Sequence, residues 1–559
     1  MRLQQYVTPM TLAAVAFLLA ASRINHGLVD SSLPAGPGVT LDEPINVSHG
    51  IYLFDALLQH GPLLLTPSAA QDVFGDEQYM ADYPPLGRLC LGAAHEATAW
   101  LISGAEASPL NIPAARLASC MAFAATVLLL TEFARRRYGV GTAVAAAVFL
   151  MLMPRVVGHA RLASLETLTS LAWLAALVPI LAWWTADKPP TTRQAAVSGL
   201  FLGLLLLTKI QAILFPPMLC IWALWRYRTR AIRPVVLWGI VGGAVFFVGW
   251  PWLWLAPWEN TLAYFVQASK RLTLYTWYFG HRFTDKAVPW HFSFVMTAVT
   301  VPLAVFVPIG WRVLTRRPEF DRDDLLLSLS VVWPMIVFAI PGTPVYDGTR
   351  LYLVIMPPLS LLAGRSIVRT VQVLQTSLKR TTSDANPLVT RTGAGLAAAC
   401  LLLIAADLVL ATPVPGPCAV DFYNVAGRAI QSASPTSPPL EAGYWADALN
   451  GNFWNQVPEN STVMVAPVSH QFQLPDWEQC VPVVRQRNIR LVPFTYDVNQ
   501  RGLLLLVHRL ADLRPSLRSV PDGAEVLAEV TSNGTVLARL IDTTSASWTE
   551  VADWPKDMQ

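Results

Sequence analysis

The sequence predicts a multi-pass α-helical membrane protein of about eleven transmembrane helices, with a C-terminal extracytoplasmic domain of α/β or α+β type. Three observations predict it. Long apolar runs recur over most of the 559 residues, which are 53% hydrophobic and only 14% charged, where a soluble domain carries about a quarter charged residues. Mean hydropathy is +0.43. Basic residues fall in alternate loops, as they do when such loops are cytoplasmic. Beyond about Pro413 the long apolar runs give way to short alternating segments.

The crossing helices are predicted near 8–24, 113–133, 139–157, 166–185, 194–208, 211–225, 233–255, 290–311, 325–341, 350–368 and 393–411. Each is about long enough for a thin bilayer or a tilted span. The first is read as an uncleaved helix, because no small-x-small cleavage site follows it. Arg135–Arg137, Lys188 with Arg193, Arg226–Arg233, Arg312–Arg317 and Lys379–Arg391 all lie in even-to-odd loops. The N-terminus is therefore predicted cytoplasmic and the C-terminus outside. The opposite loop 25–112 is long and acidic, and the loop 256–289 is rich in Trp and Tyr, which favour the membrane interface. Residues 86–103 are apolar enough to resemble a span. Counting them would invert every later basic loop, so they are predicted to form an interfacial or re-entrant helix on the outer face.

The run from Thr412 to Cys418 carries three prolines and reads as a stiff linker between a membrane module, 1–411, and a soluble domain, 412–559. Ser461–Ala466, Leu503–Val507 and Val526–Val530 read as strands. Four cysteines, Cys90, Cys120, Cys220 and Cys400, read as small core residues. Cys418 and Cys480 lie in the outer domain, where a disulfide is permitted. The net charge of +3 and the lack of a basic face exclude nucleic acid as a partner.

Charged residues beside a bilayer are costly and are kept mainly where they work. Under this topology four elements converge on the outer face. Asp42-Glu43 offers a carboxylate as general base, or simply acids at a helix start with Pro44 in the first turn. In Tyr83-Pro84-Pro85-Leu86-Gly87-Arg88, two prolines set an extended entry. Arg88 then either grips a phosphate or snorkels to headgroups. In His159-Ala-Arg161-Leu-Ala-Ser-Leu-Glu166, Arg161 and Glu166 either pair structurally or hold donor phosphate and tune the base. Lys209, between two apolar runs, needs an anion or water. Tyr278, His291 and their aromatic neighbours belong to an interface belt or stack on a sugar. Tyr346-Asp347-Gly348-Thr349-Arg350 is a capped turn or a second phosphate grip.

Taken in order, these segments resemble the protein O-mannosyltransferase and aminoarabinose-transferase superfamily, membrane glycosyltransferases of the GT-C fold. That family has an Asp-Glu pair in its first outer loop, matched by Asp42-Glu43. Its His-Pro-Pro-Leu-Gly-Lys stretch is matched by Tyr83 to Arg88, with Tyr for His and Arg for Lys. Its Ser-Arg-x-x-x-x-Asp is matched in spacing from Ala160-Arg161 to Glu166. The Thr-Lys turn at Lys209, Pro-Trp-His at 289–291 and Tyr-Asp-Gly-x-Arg at 346–350 are similar to bacterial members.

The resemblance implies an inverting transferase that moves a sugar from a polyprenyl-phosphate donor to an acceptor hydroxyl on protein, lipid or glycan, outside a bacterial plasma membrane. Asp42, with Glu43 and Glu166, carries over as catalytic. Arg88, Arg161, Lys209 and Arg350 carry over as cations on the departing phosphate. Tyr83, Tyr278, His291, Tyr346 and Asp347 carry over around the sugar and acceptor. Glu for Asp at 166 reaches one methylene further. No cofactor is evident, and no residue spacing supports a divalent metal, although some GT-C enzymes use one. The competing class is a transporter or flippase of lipid-linked sugars, which would show internal repeats and mid-membrane breaks; the sequence shows no repeat.

Overall fold

A computed structural model describes residues 4–25, 35–102, 110–270, 273–316, 319–380, 423–434 and 438–553, the last without 469–472, 498, 533 and 548–550, together with 402, 403 and 406. Helices α1 (Gln4–Ala21), α2 (Glu43–His60), α3 (Pro85–Ile102), α4 (Ile112–Tyr138), α5 (Val140–Met151), α6 (Leu165–Trp183) and α7 (Thr192–Leu206) come first. They are followed by α8 (Phe215–Tyr227), α9 (Ile232–Gly249), α10 (Phe292–Thr300), α11 (Leu303–Thr315), α12 (Arg322–Ala339) and α13 (Met356–Arg380). Their limits follow local chemistry. Asn111 caps α4 through its side chain, and Thr191 and Asp321 form capping boxes at the starts of α7 and α12.

Among the described residues, four helical stretches are long and apolar enough to cross a membrane: Ile112–Tyr138, Leu165–Trp183, Ile210–Gly249 and Arg350–Val373. A fifth is α10 with α11, bent by 114° at Val301-Pro302, where proline removes a helix donor. Thr8–Ala21, Val140–Met151 and Thr192–Leu206 are apolar but shorter. By length and hydropathy the described helices do not reach eleven spans. The expected span 139–157 ends early where Pro154 starts a separate short helix, Pro154–His159. The expected 211–225 and most of the expected 233–255 lie within one apolar stretch of 40 residues, Ile210–Gly249. The expected span 393–411 lies largely outside the described residues. Residues 86–102 do form a helix, part of α3, which packs against α2 and α4.

The C-terminal region carries β3 (Thr462–Ala466), β4 (Arg490–Pro493), β5 (Leu503–Val507), β6 (Glu525–Ser532) and β7 (Thr535–Asp542); the hairpin β1 (Tyr275–Tyr278) and β2 (His281–Thr284) precedes them. The five strands run in the order β4-β3-β5-β7-β6. The β3 strand pairs parallel with β4 and β5, and β7 pairs antiparallel with β5 and β6. Side chains alternate between faces of a strand. Val463 and Val465 therefore join one buried core while Met464 and Ala466 join another.

The first of those cores also contains Val47 of α2, Leu91 of α3 and Ala115 of α4. The sheet region is thus packed onto the long loop, and Trp477 Nε1 donates to the Val39 carbonyl at 3.1 Å. The permitted disulfide involves Cys418, which lies outside the described residues; Cys480 is buried.

Charges sort to the two ends of α6. At its end, Thr185 accepts from Arg137 at 3.0 Å, and Arg137 pairs with Asp323 at 2.8 Å. Asp187 pairs with Arg226 and Arg322, so four of the basic loops are brought together there. At its start, roughly 28 Å away by helix rise, lies Glu166.

Candidate active site at the start of helix α6

One guanidinium organises this end of the bundle. Arg350 Nε donates to Glu166 Oε1 at 2.6 Å, Nη2 to Asp42 Oδ2 at 2.6 Å and Nη1 to Asp347 Oδ2 at 3.0 Å. Lys209 Nζ donates to the same Glu166 Oε1 at 2.7 Å. Glu166 Oε2 is buried and has no hydrogen-bond partner among the described residues. Lys209, Glu166 and Arg350 are buried, whereas the Asp42 side chain is 41% exposed. A buried ion pair loses hydration that only close geometry offsets. Here two cations and three carboxylates meet, and one carboxylate opens to the surroundings.

The motif 83–88 owes its place to the backbone. Leu86 N donates to the Leu207 carbonyl at 3.1 Å. A Cβ at Gly87 would lie 2.8 Å from a Leu165 methyl, so glycine lets α3 approach the start of α6 without displacing that side chain. Tyr83 is thereby set between Arg88, 5.0 Å from its ring centre, and Lys209, 5.5 Å away. Burial, then Tyr346 and Asp82 nearby, push the Tyr83 phenol above its ordinary range, so it is present as a neutral donor.

The turn before Arg350 is equally specific. Asp347 and Gly348 both have positive φ, 56° and 62°, a conformation asparagine, aspartate and glycine tolerate best. It leaves Asp347 Oδ2 on Arg350 and Oδ1 on Arg509 Nη2 at 2.8 Å. Burial would raise the Asp347 pKa, but Arg509 and Arg350 outweigh it and hold the carboxyl below its usual value.

Of the residues singled out in the sequence, Asp42, Glu166, Lys209, Arg350 and Asp347 meet directly, with Tyr83 beside them and Tyr346 near Tyr83. The others do not join. Glu43, expected beside the base, is fully buried. Its oxygens are taken by Arg116 at 2.7 Å on each side, by Ala163 N at 2.7 Å and by Thr40 N at 2.8 Å. It pins the loop to α4 and leaves no lone pair facing the cluster. Arg161, expected on donor phosphate, instead donates to the Leu19 carbonyl at the end of α1 at 3.0 Å.

Arg88, also expected on phosphate, is buried in a fork with Asp82 at 2.7 and 3.0 Å and reaches Met80 O and Asn46. Tyr278 and His291 bond each other at 2.8 Å within a separate hydrophobic cluster. Among the described residues no group of three His, Cys, Asp or Glu side chains has the arrangement of a metal site.

Three residues join that the sequence did not single out. Tyr444 lies with its ring 5.8 Å from the Arg350 guanidinium. Trp445 donates to Asp347 at 3.3 Å and lies 4.0 Å from Arg509. Arg509 lies two residues past the apolar strand β5, and a charge just beyond the carboxyl end of a parallel strand is the one signal that points to it.

The helical bundle, its loop helices and the ionic cluster at one end define a multi-pass helical membrane protein with a charged site at the end of its spans. Residues 97–254 match the family model described as dolichyl-phosphate-mannose-protein mannosyltransferase; this is the family that the motifs resemble, and the match contains Arg161, Glu166 and Lys209. No curated protein sequence matches the chain.

Among solved structures, ArnT from Cupriavidus metallidurans in the apo state is similar at 14% identity and TM-score 0.47, over 97% of this chain and 98% of that one. The same protein bound to undecaprenyl phosphate is similar at 15% identity and TM-score 0.46, over 96% and 97%. The apo oligosaccharyltransferase of Archaeoglobus fulgidus is similar at 11% identity and TM-score 0.47, over 88% of this chain and 65% of that one.

Proposed function

We propose that the protein is an inverting membrane glycosyltransferase that moves a sugar from a polyprenyl-phosphate donor to an acceptor hydroxyl on the extracytoplasmic side. The observation that carries the proposal is the half-exposed Asp42 held by a guanidinium that also shares Glu166 with Lys209. The acceptor oxygen attacks the anomeric carbon and its proton passes to Asp42. The bond from that carbon to the phosphate oxygen breaks, and its electron pair leaves with the lipid phosphate. Lys209 and Arg350 stabilise the departing charge, as fixed cations do where charge develops. Glu166 holds the two cations together before the donor arrives. A phosphate entering here competes with the carboxylates for Arg350, which frees Asp42 as donor and cations come together.

Positive loops at the far end of α6 support placing this end outside. Two features support a lipid-carried donor: the matched family, whose name specifies a dolichyl-phosphate sugar, and the position of the cations at the ends of apolar helices. The purified protein, incubated with a panel of radiolabelled polyprenyl-phosphate sugars and acceptors, should release lipid phosphate and form an inverted glycoside. Movement of the lipid-linked sugar across liposomes with no product would overturn the proposal.

A further inference from the structure

A row of alternating charges runs from the C-terminal region into the cluster at the start of α6. It begins at Asp512, which accepts from Arg509 Nε. Arg509 Nη2 lies 2.8 Å from Asp347 Oδ1. Asp347 Oδ2 accepts from Arg350 Nη1 at 3.0 Å, and Arg350 Nη2 donates to Asp42 Oδ2 at 2.6 Å. The Asp347 side chain is fully buried and that of Arg509 is 3% exposed, so salt and water screen this row little.

Arg509 is fixed in place by its surroundings. Glu441 accepts from the two amides that follow it, Leu510 N at 2.8 Å and Ala511 N at 2.9 Å. The Arg509 guanidinium lies 4.0 Å from the Trp445 ring centre, and the same indole donates to Asp347 at 3.3 Å.

Three carboxylates share Arg350, and two of them have a second cation: Lys209 on Glu166 and Arg509 on Asp347. Among the described residues Asp42 has Arg350 alone. Without Arg509, the buried Asp347 carboxylate would act on Arg350 with its whole charge. In a site shielded from water that pull is strong, and it draws the guanidinium away from Asp42 and from an arriving phosphate. With Arg509 in place, Asp347 anchors Arg350 and leaves its other donors available.

We infer that Arg509 is a positioning residue for the transfer reaction: acting through Asp347, it sets how much of Arg350 is left for Asp42 and the departing phosphate. The inference rests on the glycosyltransferase reading. It makes the C-terminal region part of the working enzyme through a side chain two ion pairs away from the base.

The test is a double-substitution cycle on the full chain in nanodiscs. The readout is lipid phosphate released from the polyprenyl-phosphate sugar that the parent turns over fastest, with melting temperature measured in parallel. Arg509→Gln is expected to lower kcat per folded molecule about tenfold, the range of coupled neighbours, while acceptor KM stays near the parent value. Arg509→Lys, which restores the charge, should recover most of that loss. Asp347→Asn should lower kcat as well. In that background Arg509→Gln should cost no more than about twofold, because the carboxylate through which it acts is gone. Losses that multiply, or an Arg509→Gln that changes only the melting temperature, would overturn the inference and leave the transferase standing. If Arg509→Gln does not fold, Trp445→Phe takes its place in the cycle, since it keeps a ring beside Arg509 and removes only the donor to Asp347. A kcat loss of about threefold, the worth of one hydrogen bond, is then expected, and it should vanish against Asp347→Asn; a parent-like kcat would overturn the inference. A parent that releases no lipid phosphate from any donor would sink the transferase reading and this inference with it.

Discussion

The two ends of helix α6 are built from the same residue types and end in opposite conditions. At the far end, Asp324 and Arg312 are completely buried. Asp324 Oδ2 accepts from Arg312 at 2.8 Å and Arg369 at 2.8 Å, and Oδ1 accepts from Arg365 at 2.6 Å. Arg365 also stacks 3.7 Å from Tyr138, which bonds Asp323 at 2.8 Å. Both oxygens of the central carboxylate are filled, and the contacts tie α4, α11, α12 and α13 together. At the near end, Glu166 keeps one oxygen unpaired among the described residues and Asp42 keeps a face open. A carboxylate filled on both oxygens fixes helices; an incompletely paired one at the molecule's edge leaves capacity for a ligand. The contrast separates a structural role from a chemical one for residues that composition alone cannot distinguish.

The sharpest way to break this comparison is to neutralise one carboxylate at each end. Asp42→Asn should lower transfer by roughly 10² to 10⁴-fold, the usual worth of a general base, with little change in melting temperature. Radiolabelled polyprenyl phosphate released per turnover measures it. Asp324→Asn should do the reverse. Removing one partner from a buried set costs about 3–5 kcal/mol, so the melting temperature falls and transfer per folded molecule stays near the parent value. If the two variants give the same pattern, the ends do not differ in role. A smaller effect sharpens the near end itself. Lys209→Met leaves Glu166 with Arg350 alone and should lower kcat by roughly 10²-fold, as for one lost oxyanion donor, with acceptor KM hardly moved. A change confined to acceptor KM would remove Lys209 from the departing phosphate.

Much of the near end was legible in the sequence, because charge beside apolar runs is rare enough to mark itself. Asp42, Glu166, Lys209 and Arg350 were found that way, and they meet. The sequence could not tell which acid of Asp42-Glu43 faces the cluster. Adjacent residues at a helix start differ in direction by about 100°, and Arg116, the partner that captures Glu43, lies 73 positions away. The position of Arg161 was illegible for a similar reason: its acceptor is a helix-end carbonyl, Leu19 O, and any residue can supply one. The three strands foreseen beyond the linker, near 461–466, 503–507 and 526–530, are β3, β5 and β6, whose alternation is strong. The β4 strand is short and β7 is broken by polar residues. The contribution of Tyr444, Trp445 and Arg509 depends on how the C-terminal region docks onto the helices, which no local pattern encodes.

The smallest expected effect concerns that docking. Burial pushes the Glu441 carboxyl up to about 7 from its usual 4.5, against the lowering influence of Arg509 and two backbone amides. A carboxyl raised in the folded state favours folding below the unfolded pKa and loses that contribution as pH rises through the folded one. Between about pH 4.5 and 7 the stability of the C-terminal region should therefore decline, by an amount on the order of 3 kcal/mol, and level off above that. Glu441→Gln keeps the shape and removes the titration, so its denaturation midpoint should vary less across this window than the parent's. Equal slopes in the two proteins would mean that the carboxyl is charged throughout, and that the buried wall between helices and sheet admits more water than its packing implies.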